Sequence, residues 1–287
     1  MNLKTVKCNI CNIENTELIF KSTIEDSKAS VTDYVGTNPG YAKYHDIVRC
    51  KNCRLVYMNP RDNHIPELLS EVEDTDYIST WNDRLSTFKV HLDLLKQFKS
   101  GGKLLDVGCY AGIFLTAAKE VGFSVSGLEP SKWAAGFAAD KAQVPVVCRP
   151  IEAYEMPVSE FDIVTLWDVI EHLEDPMGTL SKIQTTLKPG GLVFISTHNI
   201  ESIFARALGK RYPWLMRFHL FHFSPNTLKI MAEKAGLKTV RVESYKKVLP
   251  LSYFLKRAGL DLKIKFFDKI KFSIDTKDMF VLVAQKV

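Results

Sequence analysis

The chain has 287 residues, 46% of them hydrophobic and 25% charged, with a formal net charge of +5. That suffices for one large domain plus a small appendage, and the mild charge argues against a dedicated nucleic-acid binder. No apolar run reaches the roughly 18 residues of a membrane span, and the first residues lack the apolar stretch of a secretory signal. The expected location is therefore cytoplasmic, where cysteines are metal ligands or buried residues more often than disulfides.

The first element in the chain is a pair of cysteine knuckles. Cys8-Asn-Ile-Cys11 and Cys50-Lys-Asn-Cys53 are two C-x-x-C units with 38 residues between them. Each spacing lets two thiolates grip one ion from a single tight turn, and four thiolates complete a tetrahedral site that suits zinc. With every position filled by sulfur no site remains open for a substrate, so the role expected is structural. The stretch between the knuckles mixes apolar residues with turn formers ("YVGTNPGYAKYH") and makes a poor core alone. Such segments draw folding energy from the metal. Residues 1–62 are thus expected to form a zinc ribbon, with His45 on its surface.

The remaining residues, 63–287, open with a polar linker. Leu85, Phe88, Leu92, Leu95 and Phe98 then recur at helical spacing, which predicts an amphipathic helix stopped by Gly101 and Gly102. From Lys103 short apolar strands alternate with helices: "KLLDVG", "FSVSGLEP", "VPVVCRP", "FDIVTLW" and "GGLVFIST" are the strands. This rhythm predicts an α/β fold, a doubly wound, mostly parallel sheet with helices on both faces. Ligands in such sheets lie beyond the carboxyl ends of the strands. Asp106 and Gly108 close the first strand, Glu129 the second, and Trp167 with Asp168 the fourth.

The turn in "LLDVGCYAGIFL" has glycines at 108 and 112. It matches neither the dinucleotide spacing nor the P-loop. An acid at the tip of the second strand, Glu129, can take both hydroxyls of a ribose. The cofactor expected has a ribose and little need of a phosphate cradle.

"LLDVGCYAGIFL", "VSGLEPS", "FDIVTLWDVIEHLEDP" and "LKPGGLVFIST" together resemble, in order, the signature segments of the class I S-adenosylmethionine-dependent methyltransferases. The resemblance covers roughly residues 75–287 and implies a seven-stranded Rossmann-like sheet with S-adenosylmethionine as cofactor. It implies that the backbone of Gly108, Cys109 and Tyr110 passes beside the methionine part, with Asp106 anchoring the turn and Gly112 following it. Glu129 holds the ribose, Pro130 borders the adenine, and Ile151 with Glu152 line its other side. Trp167 and Asp168 face the methionine moiety. The family usually has a further glycine where Tyr110 stands, a departure that narrows the pocket but does not abolish binding if the backbone angle there is negative.

No Asn/Asp-Pro-Pro-aromatic loop follows the fourth strand, where the chain reads "LWDVIEHL", and this argues against methylation of exocyclic base amines. "RCKNCRLVYMNPR" and "FHLFHFSPNTLKIMAEKAGL" resemble bacterial methyltransferases with an N-terminal zinc ribbon, many of them in sugar, polysaccharide and natural-product pathways. Sugar C-methyltransferases of that group carry a further C-terminal domain, so a chain that stops at the sheet is read as an O-methyltransferase. The acceptor implied is a small molecule or glycan.

A sugar hydroxyl needs a base. His219 is the first candidate, then His198, while His222 is read as packing on aromatic neighbours. His172 is open to either a structural or a functional role. A histidine base predicts a rate rising with pH near the ordinary value of about 6.5.

The long connection 199–223 is expected to form a lid. Its Arg206, Lys210, Arg211 and Arg217 either bind a phosphate-bearing acceptor or form a solvated face. The basic aromatic stretch 253–272 is read as a packing insertion, with peripheral membrane contact as the alternative. The rival functions are an RNA methyltransferase whose ribbon grips its substrate, and a non-catalytic binding module. Acids around the cysteines (Glu14, Glu17, Asp46) count against RNA.

Overall fold

A computed structural model describes residues 3–24, 31, 35, 43–63, 65–244, 247–250, 271–275 and 277–287. The stretch 253–272 falls outside them apart from its last two residues. The chain begins with β1 (Leu3–Lys4), β2 (Thr16–Phe20), β3 (Ile47–Cys50), β4 (Val56–Met58) and β5 (Arg61–Asp62). Helices α1 (Ile65–Ser70), α2 (Thr75–Ser79) and α3 (Trp81–Lys96) follow. Alternation then sets in with β6 (Gly102–Val107), α4 (Ile113–Glu120), β7 (Phe123–Glu129), α5 (Lys132–Ala142) and β8 (Val146–Cys148). It continues through β9 (Phe161–Trp167), α6 (Pro176–Thr186) and β10 (Leu187–His198). The last part holds α7 (Ile203–Leu208), β11 (Phe221–His222), α8 (Pro225–Lys234), β12 (Leu237–Ser244), β13 (Lys247–Pro250), β14 (Lys271–Ile274) and β15 (Met279–Lys286).

Helix starts are set by side-chain caps. Ser131 accepts from the N–H of Ala134 to open α5, and Asp175 accepts from Gly178 ahead of Pro176 to open α6. Ser224 and Thr227 form a reciprocal capping box on α8, which satisfies N–H groups that a helix leaves without partners.

Seven strands form one sheet in the order β12-β15-β10-β9-β6-β7-β8. The pairs from β8 through β10 are parallel, β15 alone runs against them, and β12 beyond it runs with the parallel strands again. The winding direction reverses between β6 and β9, which opens the crevice where a ligand sits. Alternate side chains point to opposite faces. Leu105, Val107, Val164, Leu166, Val193 and Ile195 pack toward α6 and α8. Their neighbours Leu104, Ile163, Leu192 and Phe194 pack toward α3 and α4.

A second, four-stranded sheet has the order β11-β4-β3-β2. Its edge strand β11 comes from the long connection after β10, with Phe221 opposite Tyr57 and His222 opposite Val56. The cysteine-bearing segment is thereby stitched to the carboxyl edge of the large sheet. Among the described residues no helix is long and apolar enough to cross a membrane.

Candidate active site

The turn after β6 is held from both sides. Gly108 and Gly112 take left-handed backbone angles of φ 69° and 75°, and a Cβ on Gly108 would stand 2.6 Å from Val169. Tyr110 is left-handed as well, at φ 45°. The negative angle expected there is not what the chain adopts: Tyr110 holds the left-handed conformation of the glycine it replaces. Its N–H donates to Glu129 Oε2 at 2.9 Å, and its ring meets Tyr77 edge-on at 4.6 Å.

Glu129 is 5% exposed, and its other oxygen accepts from the N–H of Ser131 at 2.9 Å. Each carboxylate oxygen keeps a further lone pair for a hydroxyl donor. Burial pushes the Glu129 carboxyl up to about 7, against the two N–H bonds that lower it. Asp106 accepts from Thr165 Oγ1 at 2.6 Å, and burial raises it to about 8. Two buried donors beside the turn, Tyr110 Oη and Trp167 Nε1, have no partner among the described residues. A left-handed turn, a carboxylate with spare lone pairs and two orphaned donors fit a polar cofactor with a ribose.

The other expected pocket residues lie at the same strand ends with different orientations. Cys109 is 6% exposed and its sulfur packs under Gly127, so its backbone alone is available to a ligand. Trp167 packs on His91 and Phe114, while Asp168 accepts from Ser196 Oγ at 2.6 Å. Pro130 is half-buried, Ile151 is buried in the core and Glu152 is exposed. The helical pattern that starts at Tyr77 is broken into α2 and α3, and in α2 Tyr77 lies on Tyr110 and carries Arg84 over its ring at 3.5 Å. Tertiary packing places it: Ser131 Oγ donates to Val72 O at 3.0 Å just before α2.

Next to Asp168 lies a buried histidine cluster. His219 Nδ1 is 2.8 Å from Trp214 O, and His172 Nδ1 is 3.0 Å from Phe218 O. A carbonyl only accepts, so both Nδ1 atoms carry a proton. His198 stacks on His219 with 10° between rings, and its Nε2 is 2.9 Å from His222 Nδ1. Burial, reinforced by the neighbouring histidines, drives His219 well below its ordinary value, and burial with His198 does the same to His222. Glu171 is 2% exposed with Oε2 unpartnered, and burial raises it to about 7. One donor atom each from Glu171, His172 and His219 fall within 4.8 Å of one another, a set able to hold a divalent ion. The adjacent Glu171–His172 pair was the signal available in the sequence, although only folding adds His219.

The four cysteines come together as the spacing predicts, with sulfurs all within 4.8 Å of one another. Cys8 and Cys53 lie 3.4 Å apart and share a proton, so the hydrogen bond from Cys53 draws the Cys8 thiol down while the Cys53 thiol is pushed up. Tetrahedral zinc–thiolate geometry sets sulfurs about 3.8 Å apart, and this donor set fits it.

Two expectations are corrected. His45 is not on the surface: it is 5% exposed and bonds Asp62 at 3.3 Å. Arg217 is not available to an anionic acceptor: it is 4% exposed and grips Asp62 through Nε at 2.8 Å and Nη2 at 3.2 Å. Against the burial that raises it, bonds from His45 and Arg217 hold the Asp62 carboxyl well below the usual range. Arg206, Lys210 and Arg211 are exposed.

A family model described as a methyltransferase domain matches residues 77–242. A ubiquinone biosynthesis O-methyltransferase of Aeromonas salmonicida is 33% identical over 195 residues, spanning 59% of this chain and 81% of that protein. Another of that name, from Thiobacillus denitrificans, is 33% identical over 154 residues, spanning 49% of this chain and 66% of its own length. Among solved structures, an S-adenosylmethionine-dependent methyltransferase of Thermotoga maritima, described as a possible histamine N-methyltransferase, superposes with a TM-score of 0.53 at 21% identity, covering 74% of this chain and 96% of its own. A chain from the complex of the Haloferax volcanii Trm112 activator with a putative methyltransferase gives 0.57 at 16% identity, covering 79% and 98%. At those identities the structures speak for the fold alone. The strand order, the turn after β6 and the family match agree, and the chain belongs to the class I S-adenosylmethionine-dependent methyltransferases.

Proposed function

We propose that this enzyme methylates a hydroxyl oxygen of a sugar or glycan-pathway intermediate, with His219 as the base. The observation that carries the proposal is the Nδ1 bond to Trp214 O, which sets the tautomer and leaves Nε2 as the atom able to take a proton, while burial favours the neutral ring. S-adenosylmethionine supplies an electrophilic methyl group on a sulfonium and leaves as a neutral thioether. Glu129 takes the ribose hydroxyls, and the turn Gly108–Tyr110 borders the methionine part. His219 Nε2 removes the acceptor's hydroxyl proton as the oxygen bonds the methyl carbon, and the Trp214 carbonyl supports the imidazolium that forms. Alignment of the nucleophile supplies most of the acceleration, and the buried aromatic wall around His219 excludes water. The O-methyltransferase names of the relatives support oxygen as the target and put a quinone-pathway hydroxyl beside the sugar as an acceptor.

A second reading is favoured by the Glu171–His172–His219 grouping. There His219 is a ligand, and a divalent ion lowers the acceptor's hydroxyl pKa instead. The exposed Arg206, Lys210 and Arg211 suit a phosphate on the acceptor. The four-cysteine site is assigned to structural zinc, and the protein to the cytoplasm, where such thiolates persist.

Purified enzyme should methylate an alcohol in a panel of nucleotide sugars, quinone-pathway phenols and RNA, and the product should be a methyl ether. Transfer to RNA alone would reject the proposal. His219→Ala should lower turnover by about 10²–10⁴ with cofactor affinity nearly unchanged. Because burial lowers the His219 value, the rate should stay flat through the ordinary histidine value of about 6.5 and fall only well below it. Loss of activity to a chelator, restored by magnesium or manganese, would move His219 to the ligand role.

A further inference from the structure

Both knuckles of the cysteine site make contacts with the methyltransferase core next to the histidine cluster. The two residues enclosed by the first knuckle are Asn9 and Ile10. Asn9 donates to Asp175 Oδ1 at 2.8 Å and accepts from the Met177 N–H at 2.8 Å, which fastens the knuckle to the start of α6. Ile10 O accepts from Lys234 Nζ at 3.1 Å at the end of α8. Asp175 lies three residues after His172 in the sequence. The first knuckle therefore holds the segment that carries Glu171 and His172.

The second knuckle runs directly into β4. Cys50 N–H donates to Leu55 O at 2.9 Å, closing the turn just before Val56. Val56 then pairs with His222 and Tyr57 with Phe221. Met58 N–H donates to Leu220 O at 2.9 Å, while Leu220 N–H donates to Glu171 O at 2.8 Å. Downstream, Asp62 holds Arg217 two residues before His219, and Arg61 donates to Glu174 O at 2.9 Å. The second knuckle therefore holds the segment that carries His219 and His222.

We infer that the ion bound by Cys8, Cys11, Cys50 and Cys53 is a clamp that positions the histidine cluster, setting the distance between Glu171–His172 and His219–His222. It joins the first knuckle, bonded to the start of α6 behind Glu171–His172, to the second, whose strand pairs with the His219–His222 segment and whose Arg61 also bonds Glu174 O. Coupling of this kind travels through contiguous packed and hydrogen-bonded elements, as outer contacts of a metal site orient the groups behind it. The cofactor turn around Glu129 makes none of these contacts and should not respond. The cysteine site on this view grips no substrate. It holds the wall against which the acceptor is aligned. The inference rests on the assignment of zinc to the cysteines, and the experiment separates the two.

Metal content of the purified protein is measured first, and absence of zinc would reject the zinc assignment itself. Ring carbon–proton NMR signals are then recorded for the zinc-loaded and chelator-stripped protein, with S-adenosylhomocysteine affinity measured on both. On stripping, the signals of His172, His198, His219 and His222 should shift or broaden. That of His91 on α3, packed on Trp167 at 4.3 Å, should stay, and affinity should change by less than about twofold, since that pocket shares none of the clamp's contacts described above. Asn9→Ala loosens one weld without touching a cysteine. It should keep the zinc and still move the same four signals, which decides the question if stripped protein unfolds. Normal zinc with four unmoved signals in Asn9→Ala and in folded stripped protein would overturn the clamp, as would equal movement of His91.

Discussion

At position 110 a tyrosine holds a backbone angle that favours glycine, a conformation costing about 1–2 kcal/mol for a residue with a Cβ. The Glu129 bond to its N–H and the Tyr77 ring on its side chain offset that strain. Glu129 thus has two tasks, shaping the turn and taking the ribose. Glu129→Ala should weaken cofactor binding by roughly 1.5–3 kcal/mol, as for loss of charged hydrogen bonds, and calorimetry will show it. Glu129→Gln should lose less, because its amide oxygen can still accept one N–H. Unchanged affinity in the alanine variant would remove Glu129 from the ribose site. At this scale the sequence is informative where a residue sits at a strand tip, as Asp106 and Glu129 do. It misleads for Arg217 and His45, whose burial depends on an Asp62 that lies 155 and 17 positions away.

At the scale of elements, α4 and α5 approach closely at the site. A Cβ on Gly112 would come within 2.9 Å of Ala138 Cβ, and its φ of 75° strains any side chain. Gly112→Ala should therefore destabilise the fold by about 1–3 kcal/mol through overpacking and displace the turn that α4 anchors. A lower urea midpoint with an unchanged slope is the expected signature, and an unchanged midpoint would mean that the helices separate freely. Strands β6 to β10 and helices α3 to α6 were readable because each carries a periodic apolar pattern long enough to count. Strand β11 was not. It has two residues, and "FHLFHF" alternates no more like a strand than like a packed aromatic loop. Its pairing with β4 depends on the cysteine segment being folded beside it.

For the molecule as a whole, the site concentrates buried titratable groups, and their shifts set how stability responds to pH. Burial raises Asp106 to about 8 and Glu129 and Glu171 to about 7, from ordinary values of 3.8 and 4.5. A carboxyl raised in the folded state contributes stability that is fully present below its ordinary value and is lost as pH rises through the folded one. His219 and His222 are lowered, so they act in the opposite sense, costing stability as pH falls below about 6.5. The two effects oppose each other from about pH 4.5 to 6.5. Above that range both histidines are neutral in either state. The three carboxyls then hold protons in the folded chain that the unfolded one has lost, which lowers stability as pH rises, while the Cys8 thiol, drawn down to about 5, acts in the opposite sense. The melting temperature of cofactor-free protein, followed from pH ~6.5 to ~8.5, reports the balance of the two. Asp106→Asn removes one carboxyl from that balance and should make the slope more positive whatever it does to the absolute value. Saturating S-adenosylmethionine should move it in the same direction, since the ionised form of Glu129 is the better acceptor for the ribose hydroxyls. A slope that Asp106→Asn leaves untouched would show that this carboxyl is ionised in the folded protein.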